Sequence, residues 1–357
     1  MDRNVRLAIA GFGLVGRRHG DAIATTSGVD LVAVIEPGEA GQKAAADQGL
    51  PCFNNIEEFF ARSHADGMIL ATPNSLHVPQ AMTCIDYGCP VLVEKPIATT
   101  SDDARVLVQH ANKKTVPLLV GHHRRHNPLI ERAKKTIETG DLGQIRAVQA
   151  TCWFYKPDHY FETAEWRKKN GAGPIAVNLV HDIDLIRYLC GEIRTVRAVA
   201  SPSARGFENE DVASALLELE NGAIGTVSVS DGIVAPWSWE LTSREYPIYP
   251  PTSESSYLIG GSRGSLSIPD LRLWHYPGRD PDWWSPLSAT ALTRDATDPL
   301  VNQIKNFADV IAHGAQPLVA GEEGLKSLQV IEAIQYSAEN DETVALKSDQ
   351  VSVELAS

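Results

Sequence analysis

VRLAIAGFGLVGRRHG, residues 5–20, passes from an apolar run through three glycines into a helical pattern. Val5–Ala10 reads as a short interior strand, and the helical pattern begins near Leu14. Gly11, Gly13 and Gly16 have G-x-G-x-x-G spacing. In such a turn the first glycine makes the tight bend. The second lets the backbone approach a pyrophosphate, and the third lets strand and helix pack closely. A helix N-terminus adds unpaired N–H groups and partial positive charge. The loop of Gly11, Phe12, Gly13, Leu14, Val15 and Gly16 is therefore a candidate dinucleotide cradle. The spacing alone is a weak signal, and its context strengthens it. A second strand, VDLVAVIE at 29–36, ends in Glu36, twenty residues after Gly16. An acid there accepts the ribose hydroxyls and repels a 2′-phosphate. The next residue is Pro37 rather than an arginine, so NAD is favoured over NADP.

Further strand–helix units follow. A strand over 67–71 ends at Thr72, Pro73 and Asn74, and a helix over 77–88 starts at His77 and stops at Gly88. Val91–Val93 forms the next strand and runs into Glu94, Lys95 and Pro96. A helix starts at Ser101, and VPLLVGHHRR (116–125) holds another strand. This alternation predicts a doubly wound parallel Rossmann sheet over 1–122. Ligands of such sheets bind outside the carboxyl ends of the strands. Thr72, Asn74, Glu94, Lys95, His122 and Arg124 all fall at such ends, with Pro73, His77 and Pro96 beside them. Over 123–357 the pattern becomes rich in consecutive strands, several joined by tight polar turns such as ENGA (220–223). It predicts an α+β domain around an open, largely antiparallel sheet, with helices on one face. Residues 277–300 read as a loop with two tryptophans: a substrate cover, a subunit contact or irregular surface.

Composition narrows the class. A chain of 357 residues has ample core for two domains, and 43% hydrophobic with 22% charged residues fits a globular protein. The net charge of −13 argues against nucleic acid, which would require a basic face. No run reaches the ~18 apolar residues needed to span a bilayer, and no secretory leader is visible. Five cysteines without a C-x-x-C pair suit reduced thiols in the cytoplasm. No metal is expected. His122, His123 and His126 stand beside two arginines that would repel a cation, and Cys84 and Cys89 lack two further ligands.

In order, AGFGLVGRRH, ATPNSLHVP, VEKPIA, VGHHRRHNP and GAGPIAVNLVHDIDLIRYLCG resemble the Gfo/Idh/MocA oxidoreductases. NQIKNFADVI and GLKSLQVIEAIQYSA resemble that family's closing helices. The resemblance implies oxidation or reduction of one carbinol carbon of a sugar, cyclitol or related polyol with NAD(P). It also implies a homodimer or homotetramer formed through the C-terminal sheet. It places Lys95 beside the reacting hydroxyl, with Pro96 shaping the turn, often after a cis bond. It makes His181 the group that takes the hydroxyl proton. A neutral imidazole with a pKa near ~6.5 suits that task.

Many members carry an aspartate four residues before this histidine, and here that position is Val177. Lys95 and His181 then form the minimum catalytic pair. Lys156, Tyr160, Trp166, Arg167, Asn178 and Asp184, with His122 and Arg124, are candidate substrate residues, because aromatic faces stack on sugar rings and cations favour oxygen-rich ligands. Two other readings stay open. One is a retained-NAD enzyme performing redox-assisted hydrolysis or elimination; the other is a non-catalytic NAD-binding sensor.

Overall fold

The computed structural model describes residues 3–346 and 354–355. The first part alternates strand and helix. Its elements are β1 (Val5–Ala10), α1 (Leu14–Ala24), β2 (Val29–Ile35), α2 (Glu39–Asp47), β3 (Cys52–Phe53) and α3 (Ile56–Arg62). They continue with β4 (Gly67–Leu70), α4 (Asn74–Asp86), β5 (Val91–Val93), α5 (Ser101–Lys114) and β6 (Leu118–Val120). All six strands are parallel, in the order β3-β2-β1-β4-β5-β6. That is the dinucleotide-binding order, with its switch between β1 and β4. β1, β4, β5 and β6 are almost wholly buried, as a sheet covered on both faces requires. Side chains cap two of these helices, α3 and α5. Asn55 accepts the Glu58 N–H ahead of α3, and Thr100 accepts the Asp103 N–H ahead of α5.

After a 3₁₀ turn at His123–His126 the chain forms α6 (Pro128–Glu138), β7 (Ile145–Trp153) and α7 (Asp158–Glu162). A π turn at Ile175–Leu179 leads into α8 (Val180–Cys190). Then come β8 (Ile193–Pro202), β9 (Glu210–Leu219), β10 (Ile224–Ser230), α9 (Trp239–Thr242), β11 (Tyr257–Gly261), β12 (Gly264–Ile268), β13 (Arg272–His275) and β14 (Ser288–Ala291). The chain closes with α10 (Pro299–His313), α11 (Gly321–Asn340), β15 (Val344–Ala345) and β16 (Glu354–Leu355). A ten-stranded sheet runs β14-β13-β12-β11-β7-β10-β9-β8-β15-β16. It is antiparallel except for the parallel pair β7 and β10. Along β9 and β10 buried and outward residues alternate, so the sheet has one core face and one open face. Leu129 and Ile130 of α6, Ile183 and Ile186 of α8, and Ile331 and Ile334 of α11 share the core on the covered face.

The structure differs from the sequence reading in four places. The chain divides into one unit ending at Asn127 and including Thr297–Leu328, and a second with Pro128–Ala296 and the chain from Gln329 onward. The boundary is therefore not a single cut at 122/123. The reason is packing: Ile304, Phe307 and Val310 of α10 share a core with Leu7, Ile9 and Ile69. Phe307 and Ile311 lie so close to Gly67 that a Cβ there would meet them at 2.8 and 2.6 Å. The loop expected over 277–300 contains β14, paired with β13, and the start of α10. The helix expected from His77 begins at Asn74. The helix expected around His181 opens with a π turn.

Candidate active site

The glycine loop is fixed by clearances. Gly11 has φ +84°, and a Cβ there would lie 2.5 Å from the Ala71 carbonyl oxygen. A Cβ on Gly16 would lie 1.9 Å from the Gly11 carbonyl oxygen. Gly13 is different, since nothing stands within 4 Å of its Cβ position. No side chain caps the N-terminus of α1, so its first N–H groups are left for an anion. The Phe12 side chain is buried, while Leu14 and Val15 are exposed beside the loop. The Glu36 carboxylate accepts the Phe12 N–H at 2.9 Å and the Gly38 N–H at 2.8 Å. The acid at the end of β2 is thus tied to the glycine loop. Tight packing at Gly11 and Gly16, open space at Gly13, an uncapped helix start and a fixed carboxylate together fit a dinucleotide such as NAD.

The Glu94-Lys95-Pro96 turn leaves the carboxyl end of β5, and its Lys95–Pro96 bond is cis. Glu94 is buried and reaches His19 Nε2 at 2.7 Å. It also accepts the Lys95 N–H at 3.2 Å. Burial pushes the Glu94 carboxyl up, but the His19 hydrogen bond and the charges of His19, His123 and Lys95 outweigh it and hold it down at about 2. A Cβ on Gly121 would lie 2.9 Å from this carboxyl group, so a glycine right after β6 makes room for it. His77 is buried between two carbonyls, 2.8 Å from that of Pro96 and 2.9 Å from that of Thr72. It joins the loop after β4 to the turn after β5. Burial, opposed by those two carbonyls and by Glu94, leaves its pKa below the usual histidine value. Thr72 donates to Gln80 at 2.6 Å, and Pro73 and Asn74 are exposed at the start of α4. Lys95 and Pro96 are half-buried, whereas His122 and Arg124 are buried.

In the second unit His181 stands on the second residue of α8 and is 8% exposed. Asp182 next to it accepts the Tyr257 hydroxyl, and Asp184 is buried. Ahead of α8, the Ile175 N–H donates to Glu210 at 2.8 Å. A Cβ on Gly173 would lie 2.3 Å from that carboxyl group. Burial pushes Glu210 above the usual carboxylate value. Lys156 meets Asn178 at 2.8 Å and Asp231 at 3.1 Å. Arg167 lies 3.9 Å over the Tyr160 ring and Lys156 5.2 Å from the same ring. The structure therefore brings Lys156, Tyr160, Arg167 and Asn178 together, and leaves Trp166 57% exposed at their edge. Among the described residues no group of three or more His, Cys, Asp or Glu could hold a metal, no helix is long and apolar enough to cross a membrane, and none of the five cysteines is in a disulfide.

Sequence reasoning missed His19, Arg205, Asp211 and Asp231. His19 carried a signal: with Gly16, Gly20 and Ile23 it follows the spacing of the buried face of α1. The other three carry no local signal. Arg205 meets Asp211 and Asp231 at 3.1 Å each, and only the sheet brings those segments together.

Comparison with known proteins places both halves. A family model described as "Oxidoreductase family, NAD-binding Rossmann fold" matches residues 5–122, and the "GFO/IDH/MocA C-terminal domain" model matches 130–267. A 4-carboxy-2-hydroxymuconate-6-semialdehyde dehydrogenase from a Sphingobium species is 30% identical over 63% of this chain and 72% of that protein. The scyllo-inositol 2-dehydrogenase (NAD(+)) of Bacillus subtilis is 25% identical over 97% of both chains. The WlbA dehydrogenase from Bordetella pertussis, solved with NADH and UDP-GlcNAcA, superposes with a TM-score of 0.78 at 26% identity, covering 97% of this chain and all of the other.

Proposed function

The chain belongs to the Gfo/Idh/MocA family of NAD-binding oxidoreductases, and on that premise we propose that it transfers a hydride between a secondary hydroxyl of a sugar, cyclitol or related polyol and NAD. The observation that carries this reading is the turn after β5. Lys95 is half-buried at a strand end, and its neighbour Glu94 is bonded to His19 on the helix that follows the glycine loop. The lysine is thereby held against the element that would carry the cofactor phosphates. The full-length similarity to an inositol dehydrogenase supports a polyol substrate.

Bound NAD supplies the hydride acceptor. Its pyrophosphate is held by the loop from Gly11 to Gly16 and its adenosine ribose by Glu36, while the strand-end residues Thr72, Pro73, Asn74, His77, Glu94 and Pro96 shape the rest of the crevice. Lys95 Nζ donates to the reacting oxygen and stabilises negative charge developing there, an effect that grows where water is excluded. His181 accepts the hydroxyl proton at an imidazole nitrogen. Buried charge around Lys95 is arranged for this. Glu94 stays ionised, so its negative charge acts on Lys95 whenever the enzyme works. The open face of the ten-stranded sheet exposes Val199, Leu216 and Leu258, which supports self-association through that sheet.

The test is NADH formation, followed by nicotinamide absorbance, across inositols, aldoses, anhydrosugars and sugar acids. Lys95→Ala should lower kcat about a hundredfold or more, with NAD affinity within about threefold because the phosphate cradle is untouched. Unchanged turnover in that variant would remove Lys95 from the chemistry.

A further inference from the structure

Lys156 is only 9% exposed. Its ammonium touches Asn178 Oδ1 at 2.8 Å and the Asp231 carboxylate at 3.1 Å. The rings of Phe154 and Tyr160 lie 5.5 and 5.2 Å away. An ammonium has three donors and no acceptor. The end of the Asn178 amide facing it must therefore be the carbonyl oxygen, which settles the usual ambiguity between amide O and N. The amide nitrogen then points away from Lys156 with two N–H donors, and it has no hydrogen-bond partner among the described residues. Asn178 is half-buried, three residues before His181 on one continuous helical run. Val177, at the position four before His181, has no polar group to offer.

The charge of Lys156 is already answered. Asp231 is shared with Arg205 at 3.1 Å, and Arg205 meets Asp211 at 3.1 Å. Two cations and two carboxylates cancel within the cluster. Lys156 is thus a fixed clamp on an amide, with no spare charge for a substrate carboxylate.

We propose that Asn178 is a specificity-determining residue whose Nδ2–H groups, aimed by Lys156, donate to a neutral substrate oxygen next to the reacting hydroxyl. The chemical class is a vicinal diol or a carbinol beside a ring oxygen. Lys156 is the positioning residue, and Asp231 with Arg205 holds it. The inference rests on the polyol oxidoreductase reading above and deepens it.

The test uses inositols and their mono-deoxy counterparts lacking the neighbouring hydroxyl. Turnover is measured with NAD, and binding to the NADH complex by calorimetry. Asn178→Asp keeps an acceptor toward Lys156 and deletes both N–H donors. It should raise KM for the parent polyol about tenfold, lower kcat less, and leave KM for the deoxy counterpart unchanged. Lys156→Met frees the amide to rotate and should give the same pattern, which Lys156→Arg, another pure donor, should largely rescue. Equal penalties on parent and deoxy compounds, or no penalty in Asn178→Asp, would overturn the inference while leaving the dehydrogenase reading intact. Failure of every polyol to bind the wild-type NADH complex would overturn both.

Discussion

In the first unit the candidate cofactor loop depends on backbone that no side chain may crowd. A Cβ at Gly16 would stand 1.9 Å from the Gly11 carbonyl oxygen, and one at Gly11 2.5 Å from that of Ala71. In the second unit the candidate substrate cluster depends on side chains that must meet from distant segments. Lys156, Asn178, Arg205, Asp211 and Asp231 come from a span of some seventy-five residues and are joined by contacts of 2.8 to 3.1 Å. The first kind of site tolerates almost no change in shape at Gly11 and Gly16. The second tolerates shape better than charge, because each ion there is compensated by a specific partner.

The largest effect is expected where one anion serves two cations. Asp231→Ala leaves Lys156 and Arg205 without their shared partner in a buried setting, and should cost about 3 kcal/mol or more by denaturant titration. A loss below about 1 kcal/mol would mean that this cluster is solvated and that the contrast is drawn too sharply.

Next comes the loop. Gly16→Ala should cost about 1–3 kcal/mol through overpacking and abolish NAD binding. Gly13→Ala should cost less than about 1 kcal/mol, because space is open there, yet still weaken NAD, because that space is where the phosphates approach. Calorimetric binding beside a thermal melt separates the two. Equal stability losses in both variants would break the clearance argument.

A further test sharpens the link between loop and lysine. Glu94→Gln should cost about 1–2 kcal/mol at neutral pH by weakening the His19 contact. The sign with pH is fixed. The folded carboxyl lies at about 2, below its ordinary value of 4.5, so its stabilisation is present above 4.5 and lost as pH falls toward about 2. Urea midpoints measured down that range should fall less steeply for Glu94→Gln than for the wild type. Parallel slopes would show that another group governs the acid limb.

How much of this was legible from sequence follows the same division. The parallel sheet, the glycine loop, Glu36 and the Glu94-Lys95-Pro96 turn could be read because each depends on residues close in sequence, with spacing set by strand and helix geometry. The successive strands of the second unit could be read from their alternation. That the helix Pro299–His313 packs in the first unit is not legible, because an amphipathic pattern says that a face is buried and not against which core. The π turn before His181 is not distinguishable from ordinary helix in sequence, since both patterns share apolar residues at similar intervals.

By itself, then, the sequence determined the architecture of each part and the residues that local geometry brings to strand ends. Only the tertiary structure decided that Glu94 is buried against His19, that Glu36 is pinned by the Phe12 and Gly38 amides, and that the Asn178 amide is turned by Lys156. The reason is physical. Backbone turns are set by steric limits that neighbours in sequence share, whereas the partner of a buried charge is whichever group the packed core carries to it.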